Sequence, residues 1–260
     1  MSMSMIEIER CLKQLRLSGV RATIETRILE SQAGNLSFLE TFSLVLQDEM
    51  DRRGSRLLER RYLLSGLDER TSLAEFDWGF NPKIPKRECF ELGALKFIPD
   101  GGNALLIGPP GTGKSHVAKS VAYSAIRSGY SVLHAEADDL LLSLVEKTAT
   151  STEDKRRALK PVLDCDLLVL DDLFLARRIS GDSADELQAV LHKRYKQRLS
   201  TIITSNRPVG DWGKYLGDAA LASTILDRLM HRSACLEFQG RSYRLKEAAA
   251  LRLAKDKTPD

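Results

Sequence analysis

The feature that most constrains the fold is the pattern G-x-x-x-x-G-K-S over residues 108–115. It follows the apolar run 104–107 and precedes a helical pattern over 116–126. A buried strand, a glycine-rich turn and a helix N-terminus form a phosphate cradle, because glycine N–H groups and the positive end of the helix dipole face the anion. Lys114 adds a charge for the β- and γ-phosphates, and the Ser115 hydroxyl can bind Mg²⁺. The residues predicted to contact the nucleotide are Gly108, Pro109, Pro110, Gly111, Thr112, Gly113, Lys114, Ser115 and His116.

A second signal is the apolar run 167–170, which ends in Asp171 and Asp172. Four apolar residues predict a buried parallel strand, and ligands of open α/β sheets bind at the carboxyl ends of such strands. We expect Asp171 to orient Mg²⁺, directly or through water, and Asp172 to position or deprotonate an attacking water. A further strand over 201–205 leads to Asn206, which would lie beside Asp171 if the two strands are neighbours. The alternative is that Asn206 only begins a turn before the following proline.

The N-terminal part reads differently from the rest of the chain. Residues 5–64 carry apolar stripes at helical spacing, which predicts a small helical domain over 1–70. The nucleotide-binding domain is predicted over 71–254 and a disordered tail over 255–260. The aromatic cluster at 76–80 could pack on an adenine ring or fill the seam between the domains.

Composition excludes several classes of protein. No apolar run approaches the length that spans a bilayer, and the N-terminus lacks the basic and apolar segments of a secretory signal. The four cysteines lie far apart without a C-x-x-C pair, which disfavours zinc and indicates reduced thiols. We therefore expect a cytoplasmic protein without a membrane partner.

Basic residues form local clusters although the net charge is only +3. Such clusters either contact nucleic-acid phosphates or form solvated helix faces, and the sequence leaves both interpretations open. The candidate DNA-contacting residues are Arg52, Arg53, Arg56, Lys155, Arg156, Arg157, Arg177 and Arg178.

Taken together, the phosphate loop, the paired acids, the strand end at 202–206 and the late arginines resemble an AAA+ ATPase. The narrower patterns at 113–116, 211–212, 227–229 and 240–244 are similar to the clade of the helicase loader DnaC and, more closely, the transposition helper ATPase IstB. The resemblance covers nearly the whole chain. It implies an α/β, three-layer AAA+ P-loop fold with a central parallel sheet, preceded by a small all-helical N-terminal domain.

The resemblance also implies catalytic roles. Asp171 and Asp172 would be the Walker B acids, with aspartate where many relatives carry glutamate, so water activation would be slow or need a partner. Arg228 matches an arginine finger, which reaches the γ-phosphate of a neighbouring subunit and generates a ring or an open helix. The alternative for Arg228 is a surface ion pair with Asp227. The residues assigned to catalysis, including Asn206 as first sensor and Arg244 as second sensor, are Lys114, Asp171, Asp172, Asn206, Arg228 and Arg244.

The function implied by the resemblance is that of a bacterial ATP- and Mg²⁺-dependent ATPase. It would oligomerise on duplex DNA, remodel that DNA and recruit a transposase, and it would associate with the nucleoid when bound. The cluster Lys155, Arg156 and Arg157 is the favoured DNA contact, since in this clade a helical element before Walker B faces nucleic acid. The alternatives are a helicase loader acting on single-stranded DNA, a metabolic P-loop kinase, and a scaffold that binds ATP without turnover.

Overall fold

The computed structural model describes residues 3–175 and 179–255, and the chain divides into two compact units, Met1–Arg61 and Tyr62–Asp260. The first unit is built from α-helices, as predicted. They are α1 (Met5–Gln14), α2 (Ser18–Gly34) and α3 (Phe38–Leu64). The predicted domain boundary at residue 70 stays a prediction.

Polar side chains order the helix ends in this unit. The Ser37 hydroxyl accepts the N–H of Glu40 and the Glu40 carboxylate accepts the N–H of Ser37, which forms a capping box before α3. Helix α2 has no side-chain cap from its own N-cap residue. Instead the buried Glu49 of α3 accepts the N–H groups of Gly19 and Val20, at 2.6 and 3.3 Å. A residue 30 positions away therefore caps α2.

The second unit is organised around a five-stranded parallel sheet in the order β2-β3-β4-β1-β5. The strands are β1 (Asn103–Ile107), β2 (Val132–Glu136), β3 (Leu167–Leu173), β4 (Ser200–Ser205) and β5 (Ser233–Glu237). Alternate residues of the central strands face opposite sides. Leu105, Leu168 and Ile203 join the core beneath one helical layer, and helix α5 (Lys114–Arg127) packs against the strands separately from that core. The predicted three-layer fold is confirmed.

Helices surround the sheet. In addition to α5, they are α4 (Lys86–Gly93), α6 (Ala137–Thr150), α7 (Thr152–Asp164), α8 (Gly181–Gln197), α9 (Trp212–Leu216), α10 (Ala219–Met230) and α11 (Tyr243–Lys255). Ser151 alone separates α6 from α7, and it caps α7 by accepting the N–H of Asp154. Helix α11 includes Lys255, where the predicted tail begins; residues 256–260, and Arg177 and Arg178, lie outside the described residues.

No helix within residues 3–175 and 179–255 is long and apolar enough to cross a membrane. What positions the site is the parallel order of the strands. The ends of β1 and β4 are in register, with Ile107 opposite Ser205, and Leu173 of β3 pairs with the same Ser205. The phosphate loop, the two acids and Asn206 therefore lie at the same end of the sheet, at the carboxyl ends of the strands.

Candidate nucleotide-binding site

The phosphate loop turns back on itself between β1 and α5 through backbone conformations that favour glycine. Gly111 has φ 74° and Gly113 has φ 100°, in the left-handed region. A Cβ on Gly111 would overlap the Ser242 hydroxyl, and one on Gly113 would overlap the ring of Phe76. The N-terminus of α5 is left open to an anion because neither position can carry a side chain.

Lys114 lies inside this loop rather than in solvent. Its ammonium donates hydrogen bonds to the carbonyl oxygens of Gly108 and Pro109, at 2.8 and 2.9 Å. Burial lowers the pKa of Lys114, and the carboxylates of Asp172 and Asp171 oppose that effect. The loop thus holds a buried positive charge within electrostatic range of the two acids.

Asp171 is turned toward the protein interior and is 2% exposed. One carboxylate oxygen accepts a short hydrogen bond from the Thr204 hydroxyl, and the other lies 3.5 Å from Nε2 of His134. Burial by itself raises the pKa of Asp171. The contacts with His134, Thr204 and Ser115 outweigh burial and hold the pKa below its ordinary value. Asp171 therefore remains an ionised acceptor beside the Ser115 hydroxyl.

Asp172 has the opposite character. Its φ of 51° is left-handed, and the register between β3 and β4 shifts between Leu170 and Leu173, so the strand bulges at the acids. The backbone N–H of Asp172 donates to the Thr204 hydroxyl oxygen at 2.8 Å. Burial and then the charge of Asp171 raise the pKa of Asp172, with Lys114 opposing. Neighbouring acids with pKa values pushed apart are typical of sites that divide metal binding from proton transfer.

A cavity of about 160 Å³ joins the parts of the phosphate site. Asn206 reaches it from the end of β4, and its amide oxygen is buried without a hydrogen-bond partner among the described residues. A buried polar atom of this kind indicates a ligand or water partner. The lining residues are Pro110, Gly111, Gly113, Lys114, Ser115, His116, Asp172, Leu175, Asn206, Tyr243 and Arg244.

The donor set fits a magnesium nucleotide. The Ser115 hydroxyl and the Asp171 carboxylate are hard oxygen ligands of the type that Mg²⁺ selects. Within the described part of the chain, no group of three or more His, Cys, Asp or Glu residues could hold a metal ion alone. Mg²⁺ would therefore be held jointly by these two side chains and by phosphate oxygens.

A second cavity, of about 130 Å³, adjoins the first and shares Gly113, His116 and Tyr243 with it. The rings of Phe76 and Phe80 line it, which favours the nucleobase interpretation of the aromatic cluster. The Asn81 side chain also lines this cavity and is held by two hydrogen bonds to the backbone of Arg241. Its amide donates to the Arg241 carbonyl at 2.9 Å and accepts the Arg241 N–H at 3.0 Å.

Asp171 does not line these cavities itself, but it contacts Ser115, which does. Arg228 is the one predicted catalytic residue that lies away from both cavities and from the residues that line them. It lies on α10 and lines a different cavity, together with Gly101 and Asn103 from the start of β1. Its guanidinium donates to the Thr224 carbonyl at 2.9 Å. It forms no ion pair with a carboxylate of the described residues, Asp227 included.

The sequence matches the family described as IstB-like ATP binding protein over residues 10–250. The chain belongs to this family. It is 33% identical over 256 residues to an insertion sequence IS21 putative ATP-binding protein of Pseudomonas aeruginosa, covering 98% of this chain and 95% of the relative. It is also 33% identical over 226 residues to the IS5376 putative ATP-binding protein of Geobacillus stearothermophilus, covering 87% of each. The predicted resemblance to IstB is confirmed.

Solved structures place the fold of this IstB-like chain in the AAA+ class. A crystal structure of the DnaC helicase loader is 23% identical with a TM-score of 0.50, covering 62% of this chain and 98% of that one. AMPPCP-bound DnaA from Aquifex aeolicus is 21% identical with a TM-score of 0.55, covering 75% and 59%. At these identities the match concerns the fold alone.

The basic clusters of the IstB-like chain differ in how accessible they are. Arg52 and Arg56 are exposed on α3, and the nearby Arg53 pairs with Glu49 at 2.7 Å. Lys155 of α7 is bound to Glu186 at 2.7 Å and is half-buried. The other two members of that cluster, Arg156 and Arg157, are exposed and make only long contacts, of 3.5 and 4.0 Å, with acids one turn away. Arg177 and Arg178 lie outside the described residues.

Three contributors to the site were not predicted: Thr204, His134 and Asn81. Thr204 belongs to the Thr-Ser-Asn run that ends β4, so its position gave a signal, but its contact with both acids depends on strand order. His134 and Asn81 belong to no recognisable sequence motif, because their partners lie 37 and 160 residues away in the sequence.

Proposed function

We propose that this IstB-like protein hydrolyses ATP with Mg²⁺, assembles head to tail on duplex DNA, remodels that DNA and recruits a transposase. One observation carries the proposal most directly. Lys114, Asp172, Asn206 and Arg244 surround one cavity, whereas Arg228 lies on a separate one. A nucleotide site that lacks only its arginine finger supports a catalytic site formed by residues of more than one subunit.

Within the cavity, each side chain has a distinct task. Lys114 neutralises phosphate charge, and the Asn206 amide oxygen accepts a hydrogen bond from a water or orients it. Asp172, with its raised pKa, takes up the proton of that water more readily than an ordinary aspartate. Mg²⁺, bound at Ser115 and Asp171, would neutralise charge on the phosphates.

Binding to DNA is proposed from family and charge together. The relatives are named as insertion-sequence proteins, and Arg156 and Arg157 of α7 present exposed guanidinium groups without close ion pairs. Contacts of arginine with phosphate bind DNA of any sequence. The protein would act in the bacterial cytoplasm and associate with the nucleoid through this contact.

Electron microscopy of the purified protein with a non-hydrolysable ATP analogue tests the proposal. The samples contain a duplex of several helical turns, a single strand of equal length, or no DNA. Rings or spirals on the duplex alone are expected. Assembly only on the single strand would favour a helicase loader instead, and no assembly in any sample would contradict a trans-acting Arg228.

Steady-state ATPase measurements separate an enzyme from a scaffold. We expect slow turnover by the wild type and faster turnover by Asp172→Glu, because the longer side chain restores the glutamate that many relatives carry. Nucleotide binding without turnover by either protein would make the chain a scaffold.

A further inference from the structure

The cavity around Arg228, of about 210 Å³, has a strongly cationic lining. It lies at the amino ends of β1, β4 and β5, whereas the nucleotide cavities lie at the carboxyl ends of the strands. Four of its lining residues are lysine or arginine, one is histidine, and none is acidic. The lining residues are Gly101, Asn103, Tyr195, Lys196, Arg198, Arg228, His231 and Arg232.

Backbone contacts hold this cationic pocket in place. The Asn103 side chain donates to the Leu229 carbonyl at 3.3 Å and accepts the Thr201 N–H at 3.0 Å, which ties the end of α10 to β4. The Asn103 N–H donates to the Arg232 carbonyl at 2.9 Å. The backbone of Arg198 lies against Gly101 so closely that a Cβ there would stand 2.6 Å from the Arg198 carbonyl oxygen. The backbone segments that carry Arg198, Arg228 and Arg232 are therefore tied to the start of β1.

The pocket lacks compensating negative charge. Lys196, Arg198, Arg228 and Arg232 form no ion pair with a carboxylate of the described residues. Burial and then the charges of Lys196 and Arg228 lower the pKa of His192 on α8. Like charges gathered in a concavity repel one another, and a polyvalent anion relieves that repulsion.

The anion cannot be the nucleotide of the same chain. That nucleotide site lies at the carboxyl ends of the strands, and a strand of five residues such as β1 spans roughly 16 Å, more than a side chain can reach. A duplex backbone is convex and presents its phosphates singly along a ridge. A narrow pocket with several guanidinium groups suits a compact polyphosphate better.

We propose that the pocket binds the terminal phosphates of the nucleotide held by a second copy of this chain. Arg198 and Arg232 then contact those phosphates alongside Arg228. Each subunit therefore contributes a cluster of cations to the nucleotide site of its neighbour, rather than a single arginine finger. This assignment rests on the proposed head-to-tail assembly. It adds Arg198 and Arg232 to the residues that stabilise charge on the transferred phosphoryl group.

Single variants test the two new residues. Arg198→Gln and Arg232→Gln keep much of the stem and remove the charge. We expect each to lower turnover at least about tenfold at protein concentrations where the wild type is assembled, with the dissociation constant of a fluorescent ATP analogue changed less than about twofold. Lys193→Gln is the matched control, because Lys193 is an exposed cation of α8 outside the pocket. It should behave like the wild type.

A mixing experiment tests whether the pocket acts in trans. Lys114→Ala disables the nucleotide site and keeps the pocket, whereas the double variant Arg198→Gln/Arg232→Gln keeps the nucleotide site. Each protein alone should be inactive, and the mixture should regain turnover, because one interface then joins an intact nucleotide site to an intact pocket.

The outcomes separate this assignment from the proposed function. Wild-type turnover by the double variant would overturn the pocket assignment alone. The pocket assignment would also fail if the mixture co-assembled, as measured by light scattering, and regained no turnover. It would fail as well if the double variant kept turnover and lost duplex binding. If the wild type binds ATP and never self-associates, the proposed assembly fails and the pocket assignment fails with it.

Discussion

At the scale of single residues, the Thr204 hydroxyl connects the two acids of the site. It donates to a carboxylate oxygen of Asp171 and accepts the backbone N–H of Asp172. The same hydroxyl thereby orients the predicted metal ligand and fixes the left-handed backbone that points Asp172 into the cavity. Left-handed backbone at a residue other than glycine costs about 1–2 kcal/mol, so it needs a restraint of this kind.

We expect Thr204→Val to lower kcat for ATP at least about tenfold while nucleotide binding persists, because the acids lose their shared partner but the phosphate loop does not. Thr204→Ser keeps the hydroxyl and serves as the matched control. Steady-state kinetics and analogue binding on the three proteins give the comparison. Equal kcat for the valine and serine variants would show that Thr204 has no positioning role.

Asp48 predicts a pH dependence of stability. Hydrogen bonds from Arg27 and Thr23 lower the pKa of Asp48 to about 2. Because the folded-state pKa lies below that of the unfolded chain, these contacts stabilise the fold above the ordinary aspartate pKa of about 3.9. The stabilisation declines as the pH falls from there toward 2.

The measurement is the midpoint of thermal unfolding of the wild type and Asp48→Asn, followed by circular dichroism between pH 6 and pH 2. The wild type should be the more stable protein near pH 6, and the difference should shrink toward pH 2. Asp51→Asn, at an exposed position of the same helix, should show a small difference throughout. A difference for Asp48→Asn that does not change with pH would contradict the prediction.

At the scale of elements, Arg194 of α8 joins a helix end to a strand start. Its guanidinium donates to the carbonyls of Val162 and Cys165 at the end of α7 and to the Ser200 carbonyl at the start of β4. The side chain is 1% exposed, and burial lowers the pKa of this arginine. The charge is satisfied by carbonyl dipoles, since no carboxylate of the described residues pairs with it.

Replacing Arg194 with Met retains an unbranched stem and leaves these buried carbonyls without donors. The expected loss is roughly 3 kcal/mol or more in the free energy of unfolding, seen as a lower midpoint in urea. Arg194→Lys should recover only part of the loss, because one ammonium cannot reach carbonyls on three sides. An unchanged midpoint for Arg194→Met would show that the carbonyls find other partners.

The elements also show what a sequence can predict. Strands β1, β3 and β4, helix α5 and the phosphate loop follow from apolar runs and motif spacing, which are local. The five-residue α9 is too short to produce a periodic pattern, and one cap at Ser151 was enough to separate α6 from α7. Thr204, His134 and Asn81 could not be assigned, because their roles depend on which strands and loops become neighbours.

Helix α7 carries the element-scale prediction for DNA. Arg156→Gln/Arg157→Gln should weaken duplex binding and reduce the slope of log affinity against log salt by about 2, since each phosphate contact contributes about 0.9. Fluorescence anisotropy with one labelled duplex at several salt concentrations measures both quantities. Arg87→Gln is the matched control, as Arg87 is an exposed arginine in an ion pair on α4. An unchanged slope would move the DNA contact to another cluster.

At the scale of the whole molecule, the proposed trans role of Arg228 would make activity a property of the assembly. The nucleotide cavities lie at the carboxyl ends of the strands and the cationic pocket lies at their amino ends. A single chain therefore cannot bring its own pocket to its own nucleotide. A contact that joins unlike surfaces propagates in one direction and produces a ring or an open helix. Turnover per chain should then depend on protein concentration, which it does not in an enzyme whose site lies within one subunit.

We expect specific ATPase activity to rise with protein concentration and to level off where light scattering shows complete assembly. Arg228→Ala should bind the ATP analogue with wild-type affinity, stay dispersed and lose turnover about 100-fold or more, because it removes only the contribution made to a neighbour. Duplex DNA, by gathering subunits, should shift the activity curve of the wild type to lower concentration and leave that of Arg228→Ala flat. Constant specific activity across a hundredfold dilution would instead show that each chain hydrolyses ATP alone.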